Sequence, residues 1–211
     1  MIKLVLLMLL AMKGGGFGGF QISYIKPRIS PLNELNKKYG LSEFGDILSY
    51  GGGGYAIIGK IIIGGMGFGG DKTVKNDTLK VRYSAGGGFF EMGYEILDLG
   101  ILTLYPMLGI GGYGETIEIF PTRGDINWND FYTASKRFSA ASSGGFTLSP
   151  QISLLVFPSN FFIGIMIKAG STLRLSKTWK LSDGYRLLDT PEFDNFVPHV
   201  DIMIFWGGKA G

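Results

Sequence analysis

The stretch SYGGGGYAIIGKIIIGGMGFGG, Ser49 to Gly70, decides the fold. Two apolar runs flank Gly59-Lys60, and each carries a glycine cluster at its far end. A two-residue loop at Gly59-Lys60 sets Ile58 against Ile61 and lays the two clusters side by side, so that glycine meets glycine across a hairpin. The design recurs around Asp98-Leu99-Gly100, where pairing Leu97 with Ile101 sets Gly86, Gly87 and Gly88 against Gly112, Gly111 and Ile110. Gly52, Gly53, Gly65, Gly67, Gly87 and Gly111 thus form a belt across neighbouring strands. Glycine there relieves crowding where strands bend sharply, and Tyr55, Phe68, Phe89 and Tyr113 can cover the bare backbone. A phosphate cradle would need a strand-to-helix turn and a following Lys-Ser/Thr, and neither is present.

Period-two alternation extends the pattern along the chain. Phe20, Ile22 and Tyr24 alternate with Gln21 and Ser23. Ser30-Pro31, then Leu32, Leu35 and Tyr39 and the stop at Gly40, predict a short helix capped by Ser30 in the first long connection. Asp71 to Asp77 is expected to be a polar loop. From Thr78 to Leu97 the apolar set changes parity, from Leu79, Val81 and Tyr83 to Phe90, Met92, Tyr94 and Ile96, which predicts a bulge at Gly86–Gly88. Leu102 to Leu108, Phe146 to Val156, Ile163 to Ala169 and Val200 to Trp206 each hold an apolar face on even or odd positions alone, and a Ser159-Asn160 turn joins the third of these strands to the second. The sum is an all-β, eight-stranded antiparallel up-and-down barrel with short turns on one side, long loops on the other and a short helix in the first long loop.

A chain of 211 residues fits one such domain, spanning 14–211. Residues 1–13, with the apolar run Leu4 to Met12 after Lys3, read as a signal peptide, the run being too short to cross a bilayer. Only 18% of residues are charged against 45% hydrophobic, which leaves too little charge for a surface wholly in water. Twenty basic and 17 acidic residues are dispersed without a Lys/Arg block, so nucleic acid is not an expected partner. Absence of cysteine removes disulfides and thiolate chemistry. One histidine with scattered carboxylates lacks metal-ligand spacing, so neither metal nor cofactor is expected.

Alternating short and long connections, with strand count even, is the pattern of outer-membrane barrels. The runs GGGFGGF (Gly14–Phe20), GGMGFGG (Gly64–Gly70) and GGGFF (Gly86–Phe90) resemble those of uncharacterised glycine-rich members of the small eight-stranded outer-membrane barrels. That resemblance implies a bacterial outer-membrane location with lipid, or detergent in its place, around the strands. A charge facing the bilayer midplane costs roughly 2 to 4 kcal/mol, so Glu91, Glu95, Lys168, Arg174, His199 and Asp201 are assigned to the barrel interior. A barrel of eight strands is filled by its side chains, and these groups should pair there as a core, with Lys168 and Arg174 partnered among Glu91, Glu95 and Asp201.

His199 and Asp201 share one strand face, where a carboxylate could orient an imidazole, but no sequence motif places a nucleophile beside them. The long loops carry Trp128, Phe131, Tyr132, Trp179 and Tyr185 with basic neighbours, the composition of a recognition surface for an extracellular ligand or protein. The expectation is a non-enzymatic barrel, structural or adhesive. The alternatives are a secreted soluble or filament-forming β-protein and, behind it, a barrel lipid hydrolase using His199.

Overall fold

The computed structural model describes residues 14–27, 29–122, 139–158, 162–175, 178–181, 184–188, 190 and 195–209. Residues 1–13, Ser159 and Asn160, for which a leader and a turn are expected, and Trp128, Phe131 and Tyr132 lie outside them. The elements are β1 (Gly14–Ile25), α1 (Ser30–Lys38), β2 (Ile47–Ile58), β3 (Ile61–Lys75), β4 (Leu79–Tyr94), β5 (Leu97–Asp98), β6 (Leu102–Pro121), β7 (Ser139–Val156), β8 (Ile163–Arg174), β9 (Trp179–Leu181) and β10 (Phe196–Lys209). The sheet runs β6-β4-β3-β2-β1-β10-β8-β7, and a β6–β7 pairing closes it. Of the ten strands β5 and β9 are short additions, so eight form the ring, all antiparallel to their neighbours.

The opening hairpin forms as expected, with Ile58 opposite Ile61 and Gly59 at φ +61°, a backbone conformation that a side chain would resist. The second hairpin differs in register. Gly86, Gly88 and Phe89 face Gly114, Gly112 and Gly111, two positions from the expected pairing. A shift of two leaves every side chain on its own face. Four steps from Gly93 to Leu97 lie opposite three from Met107 to Leu104, so the extra residue sits near Glu95 and Ile96.

No bulge exists at Gly86–Gly88, where pairing is continuous on both sides. Odd positions of β4 point inward throughout: Val81, Tyr83, Ala85, Phe89, Glu91 and Gly93 are all buried. The apolar set changes parity because the surroundings change, not the strand. Near the loops the inside of the barrel is apolar and the outward Lys80 and Arg82 are exposed; lower down the inside is polar and Phe90 and Met92 face out.

Asp71 to Lys75, expected as loop, instead extend β3 against Lys80 to Ser84. Asp71 meets Arg82 through two hydrogen bonds of 3.0 and 3.1 Å. Only Asn76, Asp77 and Thr78 turn the chain, and the Asn76 side chain accepts from the Thr78 and Leu79 amides. The loop side therefore has three long connections and one tight turn. Helix α1 begins at Ser30 itself, with Ile29 in the capping position and no side-chain cap, and Gly40 follows its end at φ +71°.

The interior is layered. On the turn side Phe17, Tyr55, Ile62, Tyr105, Met166 and Phe205 pack together, which explains why Ile61 and Ile62 are both apolar: one faces out and the other fills the lumen. On the loop side Ile29, Leu32, Leu41 and Phe44 from the first long connection enter the barrel mouth and pack on Val81, Tyr83 and Tyr113. This connection plugs the barrel.

Candidate functional site

Between the two apolar layers lies a polar one, built by register. Ser23, Asp201, Lys168 and Ser153 are direct cross-strand neighbours on β1, β10, β8 and β7, all pointing inward. Lys168 is fully buried, with Nζ 3.3 Å from Glu91 Oε2 and 3.8 Å from Asp201 Oδ2. Nζ also donates to the Tyr55 hydroxyl at 3.1 Å, and that hydroxyl donates to Glu91 at 2.5 Å. Glu91, Asp201 and Lys168 thus meet in one buried cluster.

Arg174 is buried too, but its carboxylate is Glu115, which also accepts from the Tyr83 hydroxyl; the guanidinium lies 5.5 Å from the centre of the Tyr113 ring. The expected partners of Arg174 are therefore corrected. Glu115 shares odd parity with Thr103, Tyr105 and Met107, so the inward face of β6 already contained it. Glu95 lies just past β4, half-buried and outside this layer.

His199 Nδ1 is 3.1 Å from Asp201 Oδ2, and His199 Nε2 is 3.2 Å from Ser149 Oγ. Ser149 sits on the inward face of β7, a position that parity alone could not bring to the imidazole. The resulting order is hydroxyl, imidazole, carboxylate. Ser149 is 2% exposed, below the plug formed by the first long connection.

The glycine belt divides into two faces. Gly52, Gly67, Gly88 and Gly112 are in one outward row between Phe20 and Phe146. Gly65 also faces out. Gly53, Gly87 and Gly111 face in, where a Cβ would come within 2.4, 2.7 and 2.0 Å of a neighbouring strand's carbonyl oxygen. Phe68 and Phe89 stack with centroids 6.0 Å apart and reach the space over Gly87, as expected of covering aromatics.

Of the loop aromatics, Trp179 is buried in the mouth cluster and not displayed, whereas Tyr185 is exposed. Among the described residues no group of three potential ligands could hold a metal ion.

Closure, a buried layer of paired charges and an apolar exterior define a barrel of the small outer-membrane type. No family model matches the chain and no curated protein matches it. Among solved structures it is similar to a major outer membrane protein from Thermus thermophilus, at 8% identity, 92% of this chain, 99% of that one and TM-score 0.49. It is also similar to Ail, the attachment invasion locus protein of Yersinia pestis (12% identity, 92% and 97% covered, TM-score 0.45). A third is the outer membrane protein OprG from Pseudomonas aeruginosa (8% identity, 94% and 98% covered, TM-score 0.47).

Proposed function

We propose that the chain is an integral barrel of a bacterial outer membrane, non-enzymatic and closed to solutes, which acts through its loop side. One observation carries this. Every strand of the ring exposes large apolar side chains outward, among them Ile22, Leu48, Ile61, Met92, Ile110, Ile152, Ile165 and Ile202, while Lys168, Glu91, Asp201 and Arg174 are buried. In water that arrangement is inverted; in lipid it is the low-energy one. Tyr24 and Tyr50 at the loop-side edge, and Tyr94 and Trp206 at the turn-side edge, are exposed where interfacial aromatics belong. Ring closure also removes the free edges through which a filament would add strands.

Expression in a Gram-negative host followed by fractionation tests it. The protein should be found in the outer membrane and shift its gel mobility on boiling. Recovery from the soluble fraction without detergent would refute the proposal.

A lipid hydrolase has one observation in its favour, the hydrogen-bonded order Ser149, His199, Asp201. An ester would have to displace the first long connection to reach Ser149. A serine-reactive fluorophosphonate separates the two: an adduct on Ser149 that is lost in His199→Gln supports hydrolysis, and an unlabelled folded barrel supports the non-enzymatic assignment.

A further inference from the structure

Pairing of β4 with β6 runs unbroken from Leu79 and Pro121 to Gly93 and Met107, then resumes at Leu97 and Leu104. Between these points Tyr94, Glu95 and Ile96 lie opposite only Tyr105 and Pro106, and Pro106 has no amide hydrogen to give to a neighbouring strand. The ladder is interrupted there. On the outer wall at this break lies a groove of about 440 Å³, lined chiefly by Ile61 of β3, Met92, Gly93 and Tyr94 of β4, and Pro106 and Leu108 of β6. None of its lining residues is charged. Toward the turn the hairpin carries the apolar surface on, with Ile96, Leu97, Leu99 and Ile101 all exposed.

We propose that this groove holds one acyl chain of a phospholipid from the turn-side leaflet. The proposal rests on the outer wall being lipid-facing, and it names the place on that wall where one lipid stays longer than its neighbours. Continuity sets the occupant, because Ile61, Met92, Tyr94 and Leu108 are exposed members of the same apolar band that meets hydrocarbon elsewhere on the ring. Surrounding chains are as apolar as the wall, so escape from water favours no position and packing decides. On a ridge of side chains a lipid touches protein from one side only. In the groove it lies between Met92 and Tyr94 of β4 and Pro106 and Leu108 of β6, and dispersion contacts accumulate on both flanks. Met92, unbranched and flexible, adapts to the chain's shape. With a methylene taken to fill about what a liquid water does, ~30 Å³, the groove has room for on the order of fifteen carbons. A second barrel would present a convex wall, which bridges a groove without filling it.

The test uses the full barrel in vesicles of phosphatidylethanolamine and phosphatidylglycerol, doped with a phospholipid that carries a photoactivatable diazirine midway along one chain. After irradiation, peptide mapping should find label on residues 92–94 and 106–108 at about threefold or more its level on Ile202 and Ile204 of β10, across the ring from β4. Pro106→Leu fills the groove and restores an amide donor, and should bring that excess down to the level of β10. Ala169→Leu adds a leucine at an exposed position of β8 and should leave the excess intact. Heat-modifiable mobility of all three proteins confirms that the ring is folded. Labelling spread evenly over the strands, or an excess unchanged by Pro106→Leu, reports ordinary boundary lipid and overturns the proposal. Protection of residues 92–108 together with a dimer mass assigns the groove to a second copy and overturns it as well. Label on no strand at all would refute the membrane assignment itself, and the proposal with it.

Discussion

Lys168 Nζ lies 3.3 Å from Glu91 Oε2, on β8 and β4, which are not neighbours in the ring; the pair spans the lumen and is sealed from solvent. With Asp201 at 3.8 Å the cluster has one cation for two carboxylates, and the hydroxyl of Tyr55 supplies a further donor to Glu91.

Lys168→Met should therefore destabilise the barrel by about 3 to 5 kcal/mol, because it strands buried carboxylates that have lost their cation. Adding Glu91→Gln should recover much of that loss, since one of the stranded charges is removed with it. The urea midpoint of the fast-migrating folded band in lipid vesicles measures both. Equal midpoints for the single and double variants would show that the pair is not coupled.

Inward Gly111 and outward Gly67 differ in the room they leave for a side chain. At Gly111 a Cβ would sit 2.0 Å from the Gly88 carbonyl oxygen, so Gly111→Ala forces two strands apart. At Gly67 the nearest atom is 3.7 Å away and the Cβ points outward. Gly111→Ala should cost upwards of about 3 kcal/mol or prevent folding, as backbone displacement does, while Gly67→Ala should be neutral or gain about 0.5 to 1 kcal/mol from lower unfolded-state entropy. Yield of heat-modifiable barrel from matched refolding reactions separates the two.

Phe44 is fully buried against Tyr83, with ring centroids 5.8 Å apart, and anchors the first long connection in the mouth. Phe44→Ala should cost about 3 to 5 kcal/mol of local packing. The ring's own hydrogen bonds do not depend on it. The expected result is rapid protease cleavage within 29–46 with the barrel still folded in vesicles; resistance equal to the parent protein would mean that the connection is held by something other than this cluster.

Much of the architecture is legible in residues whose two faces differ sharply. On β7 the inward Thr147, Ser149, Gln151 and Ser153 contrast with outward Phe146, Ile152 and their neighbours, so parity alone assigns the faces. The same holds for β8 and β10. Parity is silent on which side chains meet across the lumen, because that depends on ring closure and strand stagger; hence Glu115 for Arg174 and Ser149 for His199 emerge only from the folded barrel. The phase change in β4 misleads for a physical reason. A strand that leaves lipid for water reverses which face is apolar without any break in pairing, and a sequence pattern cannot distinguish that from a bulge.

This gives β4 a testable boundary. Arg82 and Phe90 both point outward on one uninterrupted strand, yet Arg82 pairs with Asp71 in solvent while Phe90 and Met92 are exposed among apolar neighbours. The edge of the hydrocarbon then falls between Ser84 and Phe90, in the glycine run Gly86–Gly88. Met92→Lys should cost about 2 to 4 kcal/mol, the penalty for a cation facing the bilayer interior. Arg82→Leu removes an exposed ion pair and should change stability by less than about 1 kcal/mol. Urea unfolding from vesicles measures both, and a nitroxide placed at Arg82 and at Met92 in turn reads the depth directly: accessible to a water-soluble relaxation agent at the first position and to oxygen in lipid at the second. Equal accessibility at the two positions would mean that the outer surface of β4 meets a single medium, and the bulge would again be needed to explain its sequence.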